Sequence, residues 1–258
     1  MKIRSFCLTS AIAAAAALAA APALAQDNDV GTWSGPYAGL NLGYGGGNFK
    51  YPYSGTTDAA GTNPVSGHFR QDSSGVLGGV TLGYNYETRD GFVAGLETDI
   101  DASDLSGKTG FAEFPGTGTS YDGDFSSRIN YLGTVRARVG HAMLNNRIVP
   151  YVTGGFAYGG VRTASNWNCS ACFNGGPGNA SFVSPNQMQT GWTVGGGAEY
   201  ALNRHLSMKV EYLYVNLGDS TLNGTGGTIG GPGFNLYNAS VDEKATANVV
   251  RVGLNWRF

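Results

Sequence analysis

The sequence predicts an all-β protein, an eight-stranded antiparallel up-and-down barrel that crosses a membrane. Three observations predict it. The chain ends in a run that alternates apolar with polar or small residues, Val250, Val252, Leu254, Trp256 and Phe258 against Arg251, Gly253, Asn255 and Arg257, and it stops on an aromatic. That is the period of two of an extended strand with one apolar face. An export leader stands at the other end. Between them, charged residues make up 13% of the chain, against about 25% in globular proteins. Yet no segment after the leader is apolar for the ~20 residues that a spanning helix needs. Low charge without an apolar helix fits apolar side chains placed at every second position of strands.

The leader reads from Lys2 and Arg4, through an alanine-rich apolar stretch from Phe6 to Ala21, to Pro22-Ala23-Leu24-Ala25. Small residues at Ala23 and Ala25 place cleavage after Ala25, so Gln26 begins the mature chain. The alternative, a membrane anchor, is disfavoured by the short apolar run and the well-formed cleavage site. Cys7 leaves with the leader. The expected organisation is a signal peptide over 1–25, a short periplasmic segment over 26–34 and a barrel over 35–258. Without Lys2 and Arg4 the chain carries 14 basic against 18 acidic residues, a formal charge of −4. It offers no basic face of the kind that nucleic acid requires.

Eight strands follow in order. The first spans Gly35 to Gly46, with Ala38, Leu40, Leu42 and Tyr44 on one face. The second spans Gly75 to Tyr86 (Val76, Val80, Leu82, Tyr84), and the third Phe92 to Ala102 (Phe92, Ala94, Leu96, Ile100). The fourth spans Arg128 to Gly140, with Ile129, Tyr131, Val135, Ala137 and Val139 on one face. The fifth, Ile148 to Arg162, alternates too weakly to be phased. The sixth spans Gly191 to Ala201 (Trp192, Val194, Ala198, Tyr200), the seventh Leu206 to Leu217 (Leu206, Met208, Val210, Tyr212, Tyr214), and the eighth Ala247 to Phe258. Most are near the ~9–11 residues of a tilted membrane strand.

The connections alternate in length. Gly47 to Ser74, Ser103 to Ser127, Thr163 to Thr190 and Gly218 to Thr246 are long and rich in Gly, Asn, Ser and Thr. Glu87 to Gly91, His141 to Arg147 and Asn203 to His205 are short. Short turns on the periplasmic side and long loops outside are the rhythm of bacterial outer-membrane barrels. An even strand count leaves both mature ends periplasmic. A soluble sandwich also alternates, but it does not explain four long polar connections at one end. The 42 glycines suit close-packed strands and turns better than helices.

The polar faces carry opposite charges on neighbouring strands. Glu97, Asp99 and Asp101 point away from Leu96 and Ile100, and Arg136 and Arg138 point away from Val135 and Val139. Glu199, Lys209, Glu211, Arg251 and Arg257 also fall on inward faces. Such rows could serve as a carboxylate cluster for metal or acid–base work. The favoured expectation is an internal ion-pair network, because an eight-stranded barrel is just wide enough for its own side chains and buried charges need partners. Neither a metal nor a cofactor is expected. Tyr44, Tyr84, Tyr86, Trp192, Tyr200, Tyr212, Tyr214 and Trp256 share the outward faces and lie near strand ends, which marks girdles at the lipid–water boundaries rather than a stacking surface.

Cys169 and Cys172 form Cys-Ser-Ala-Cys in the third long connection. A redox motif of this spacing wants a βαβ setting, and zinc wants a second ligand pair nearby. A local disulfide made after export is the expectation, with free or intermolecular thiols as the alternative. His68, His141 and His205 sit in connections, away from any serine and carboxylate that a barrel lipase or deacylase would need. Gly45-Gly46-Gly47 and Gly195-Gly196-Gly197 lack the Lys-Ser/Thr of a phosphate loop.

Trp33-Ser34-Gly35-Pro36-Tyr37-Ala38-Gly39 resembles the Trp-x-Gly-x-Tyr-x-Gly opening of small outer-membrane proteins of alphaproteobacteria, a family of surface antigens and opacity-type, OmpA-like porin-family barrels. Pro150-Tyr151-Val152-Thr153-Gly154-Gly155 resembles its fifth strand and Val210-Glu211-Tyr212-Leu213-Tyr214 its seventh. The closing Gly253, Trp256 and Phe258 look like the signal read by the barrel assembly machinery. The ordered set covers essentially the whole mature chain. It implies a place in the cell outer membrane, contact with outer-membrane lipids, lipopolysaccharide and the assembly machinery, and a non-enzymatic role in envelope integrity and surface presentation. Host or environmental ligands would be met through the external loops. A narrow small-solute channel is the alternative, and a lipid-modifying enzyme a more remote one. Some relatives bind haem or host factors. That property transfers poorly, because no histidine or charged residue lies between Arg162 and Gly191.

Overall fold

The computed structural model describes residues 31–56, 64–113, 121–173, 176–222, 229–231 and 234–258. The expected cleavage region, with Ala23, Ala25 and Gln26, lies outside them. Among the described residues nine strands are present: β1 (Gly35–Thr56), β2 (Pro64–Glu87), β3 (Phe92–Glu113), β4 (Tyr121–His141), β5 (Ile148–Phe173), β6 (Gly176–Ala201), β7 (Leu206–Leu222), β8 (Ile229–Gly231) and β9 (Phe234–Arg257). Eight of them, β1 to β7 and β9, pair antiparallel in chain order, and β9 returns to pair with β1. These eight strands therefore form a closed barrel, whose wall has no open edge. The three residues of β8 pair only with β9, within the last long connection.

The alternation read from sequence sorts onto the two faces as expected. Leu40, Leu42, Val80, Leu82, Leu96, Val135, Val139, Val194 and Leu254 are exposed on the outside. Tyr84, Tyr86, Phe92 and Trp256 rim the end that carries the chain termini, and Tyr44, Trp192 and Tyr212 rim the other. In β5, Val149, Tyr151, Thr153, Ala157 and Val161 point inward while Val152 and Phe156 point outward, which supplies the phase that the sequence left open.

Two expectations are corrected. The eight barrel strands run 17 to 26 residues, because the long connections continue the ladder as hairpins; Thr163 to Thr190, for example, is mostly β5 and β6. Beyond the membrane both faces of a hairpin meet water, so the period-two signal stops while backbone pairing continues. Ile129, expected on the lipid face, is buried in the barrel. Between Ile129 and Tyr131 the register against β5 shifts, so that Asn130 is the extra residue of a bulge and the side chains beyond it change sides.

The short turns close the opposite end. The β4–β5 turn holds Leu144, Asn145 and Asn146 at φ of 52, 56 and 67°, a left-handed run that asparagine tolerates best. Asn146 then serves the N-terminal segment: its carbonyl accepts from Trp33 Nε1 at 2.9 Å, and its Nδ2 donates to Gly31 O at 2.9 Å.

Candidate functional site

The site is the interior of the barrel, and it is built in layers. At the terminal end Trp33, which precedes β1, folds beneath the barrel and is buried with Val93, Val149, Tyr151 and Ala201. Glu87 at the end of β2 holds it there: Oε2 accepts from Trp33 N at 2.9 Å and from Thr32 Oγ1 at 2.8 Å. The Arg257 guanidinium lies 4.4 Å above the Trp33 ring, and its Nη2 donates to Asn203 O at 2.6 Å.

The middle layer brings together Glu97, Asp99, Asp101, Arg136, Arg138, Glu199, Lys209, Glu211 and Arg251, each buried. Arg136 is directly opposite Glu97 across β3–β4 and donates to it through Nη2, which also reaches Asp99 Oδ2 at 2.8 Å. Its Nη1 donates to Glu211 Oε1 at 2.9 Å. Arg251 donates to Glu211 Oε2 (2.8 Å), Asp101 Oδ2 (3.0 Å) and Asp99 Oδ2 (2.8 Å). Lys209 Nζ donates to Glu97 Oε2 at 2.8 Å, and Arg138 Nη2 to Glu199 Oε2 at 2.8 Å. Five carboxylates thus face four cations, with Arg257 one layer below.

Neutral groups that the charge pattern did not reveal complete the network. Tyr37 Oη donates to Glu97 Oε2 at 2.7 Å, and Tyr151 Oη to Glu211 Oε1 at 2.9 Å. Ser207 Oγ and Asn255 Nδ2 both donate to Glu199 Oε1, at 2.6 and 2.8 Å. The Arg138 guanidinium stacks 4.0 Å from the Tyr151 ring centre. Glycine makes the room: a Cβ at Gly197 would stand 2.9 Å from Tyr151 Oη, and one at Gly79 would stand 2.5 Å from Asp101 Oδ1. An arrangement in which the acids are bound by arginine or lysine offsets most of the buried charge and cross-ties the barrel wall.

Above the network lies a layer missed by the sequence reading, an apolar cluster that includes Phe49, Leu77, Leu105, Ile129, Leu213 and Leu217. Its signal was visible, since Leu213, Val215 and Leu217 share the odd positions of Lys209 and Glu211. Above the cluster, level with the exposed Lys50 and Lys244 and so beyond the apolar lipid-facing band, sits the Glu243 carboxylate. It accepts from Thr163 Oγ1 at 2.8 Å and from Tyr51 Oη and Gln189 Nε2 at 3.4 Å each. Burial pushes its pKa upward, and no ion pair opposes that among the described residues.

The remaining sequence candidates scatter. Trp256 is exposed on the outer face, stacked on His205 with ring centres 5.6 Å apart. Gly253 faces inward against the Lys209 chain, and Phe258 is exposed, its N donating to Pro36 O at 3.1 Å. His141 packs edge-on against Phe92, and His68 is exposed on β2. The side chains of Cys169 and Cys172 lie outside the described set. Among the described residues no group of three or more His, Cys, Asp or Glu is placed to hold a metal.

The family model described as "Outer membrane protein beta-barrel domain" matches residues 11–258. A 31 kDa outer-membrane immunogenic protein of Brucella melitensis is 35% identical over 230 residues, 89% of this chain and 85% of that protein. A 25 kDa outer-membrane immunogenic protein of Brucella abortus is 26% identical over 227 residues, 88% of this chain and 80% of that protein. Among solved structures, the outer membrane protein OprG of Pseudomonas aeruginosa covers 87% of this chain and 96% of its own at 15% identity, with a TM-score of 0.45. With a match over residues 11–258, the chain belongs to the outer-membrane protein β-barrel family.

Proposed function

We propose that the protein is a closed, non-enzymatic barrel that supports the outer membrane and holds four long hairpins above the outer leaflet, with both mature ends in the periplasm. The observation that carries this reading is the filled lumen. A stopper of Trp33, a layer of ion pairs and an apolar cluster succeed one another along the axis. Leu77, Leu105, Ile129, Leu213 and Leu217 form an apolar layer in the described lumen, and apolar constrictions block conduction by excluding water. The short turns lie at the end of the chain termini, which supports this orientation. The Brucella relatives are named as immunogenic, which supports hairpins within reach of antibodies.

Conductance in planar bilayers tests the reading. The refolded mature chain should give no persistent open state, and a steady, sizeable one would favour the narrow-channel alternative. Protease added to intact cells should cut the long hairpins and spare the short turns; the reverse pattern would overturn the orientation. Lipid A from cells that overproduce the protein should be unmodified, whereas a change in its acylation would restore the enzymatic alternative.

A further inference from the structure

Above the aromatic rim the outer face turns from apolar to charged. Along β1, Leu40, Leu42 and Tyr44 give way to Asn48 and Lys50. Lys50 stands directly opposite Arg70 on β2 and directly opposite Lys244 on β9, and all three are exposed. Residues so opposed have Cβ atoms about 4.5–5.5 Å apart, and like charges there destabilise a sheet. Only Lys244 is answered, by Asp219 Oδ2 at 2.9 Å. Among the described residues neither Lys50 nor Arg70 has an ion-pair partner. Asp72, two residues below Arg70 on the same face, is occupied by Asn48 Nδ2 at 2.8 Å. His68 extends the basic surface one step further, opposite Pro52. Arg128 likewise stands opposite Arg162 across the barrel, both exposed, but Arg128 is answered by Asp104 Oδ1 at 3.3 Å.

Three cations in a row across adjacent strands are a liability to the isolated sheet that an anion removes. The row lies above an apolar face of Leu40, Leu42, Val252 and Leu254, with Asn48, Asp72, Thr246 and Asn248 between. A ligand that fits both is an amphiphile with acyl chains below and phosphate or carboxylate groups above. We propose that Lys50, Arg70 and Lys244 bind the anionic groups of lipopolysaccharide, whose acyl chains lie on the outer face of β9, β1 and β2. The inference rests on the orientation proposed above, since only the outer leaflet presents such a lipid to this end of the barrel. Arginine offers two parallel donors to a phosphate and lysine a point charge, so one phosphate group can bridge opposed residues that would otherwise repel.

The test is a titration of the refolded full mature chain, in detergent free of lipopolysaccharide, with bisphosphorylated lipid A and with its dephosphorylated form. The bisphosphorylated form should bind at least about tenfold more tightly, the factor expected for one charge-assisted contact of ~1.5 kcal/mol. The double variant Lys50→Gln/Arg70→Gln should lose that preference while keeping the heat-modifiable mobility of a folded barrel. Arg89→Gln, in a short turn at the other end, should bind as the natural protein does. Salt near 1 M, where charges are screened within about 3 Å, should abolish the preference. Equal binding by the double variant, equal binding of the two lipid A forms, or equally tight binding of inositol hexakisphosphate, which has no acyl chains, would overturn the proposal. Binding in detergent does not depend on orientation, so those results would leave the proposed function standing; inverted protease accessibility would instead remove its basis.

Discussion

Arg136 and Glu211 meet at 2.9 Å in the lumen although β5 and β6 separate their strands in the sheet. Glu211 also receives Arg251 from β9 at 2.8 Å and Tyr151 from β5 at 2.9 Å. One carboxylate thus ties four strands across the barrel axis. Replacing it leaves Arg136 and Arg251 buried with fewer partners, and breaking a buried pair from one side costs about 3–5 kcal/mol. Glu211→Ala should lower the urea unfolding midpoint in lipid vesicles accordingly. An unchanged midpoint would mean that the network is not structural.

The outer face makes the opposite demand. Leu254 is half exposed, with Leu40 and Met208 as its strand neighbours in the apolar band. Leu254→Arg should destabilise the barrel by about 2–4 kcal/mol, the cost of a lipid-facing arginine near the bilayer midplane. Leu254→Met should be nearly neutral in the same vesicle unfolding assay, since it conserves volume and polarity class. Equal stability of the two variants would contradict the assignment of this face to lipid.

Glu243 sets a pH dependence. Its folded pKa is raised by burial above the usual carboxylate value, so the folded state holds its proton more tightly than the unfolded state. Its contribution favours folding below the unfolded pKa of about 4.3 and is lost as pH rises through the folded pKa. Glu243→Gln should therefore stabilise the barrel at pH 7, with the gain shrinking as pH falls through the folded pKa and gone below about 4. A variant that is less stable at pH 7 would show that Thr163, Tyr51 and Gln189 more than offset the burial of the charge.

Phe258 closes β9 but makes little of the fold. It is 75% exposed, and its backbone N–H donates to Pro36 O at 3.1 Å. Deleting it should leave refolding in detergent nearly unchanged while lowering the amount assembled in cells, because assembly would lose its terminal aromatic. Normal surface levels of the truncated chain would refute this role.

The barrel was legible because two solvents, lipid and lumen, impose a strict parity on each strand. Glu97 and Arg136 could be placed face to face from parity and strand order alone. The apolar layers were not legible for the same reason. Leu213, Val215 and Leu217 lie at inward positions, but an expectation of a polar interior hides apolar residues that plug it. β5 could not be phased because Val149, Tyr151 and Val161 inside face Val152 and Phe156 outside, so both parities read as apolar. Ile129 required a bulge that no local composition announces. Tyr37 and Tyr151 joined the charged site because only the three-dimensional layout shows which carboxylates their hydroxyls reach.

The most direct test of this inside–outside assignment is quenching of single-tryptophan variants by brominated acyl chains in vesicles. Trp192 and Trp256 are exposed on the outer face, and Trp33 is buried beneath the lumen. Strong quenching at positions 192 and 256 with none at 33 is the expected result. Quenching of Trp33, or silence at Trp192 and Trp256, would contradict the barrel described here.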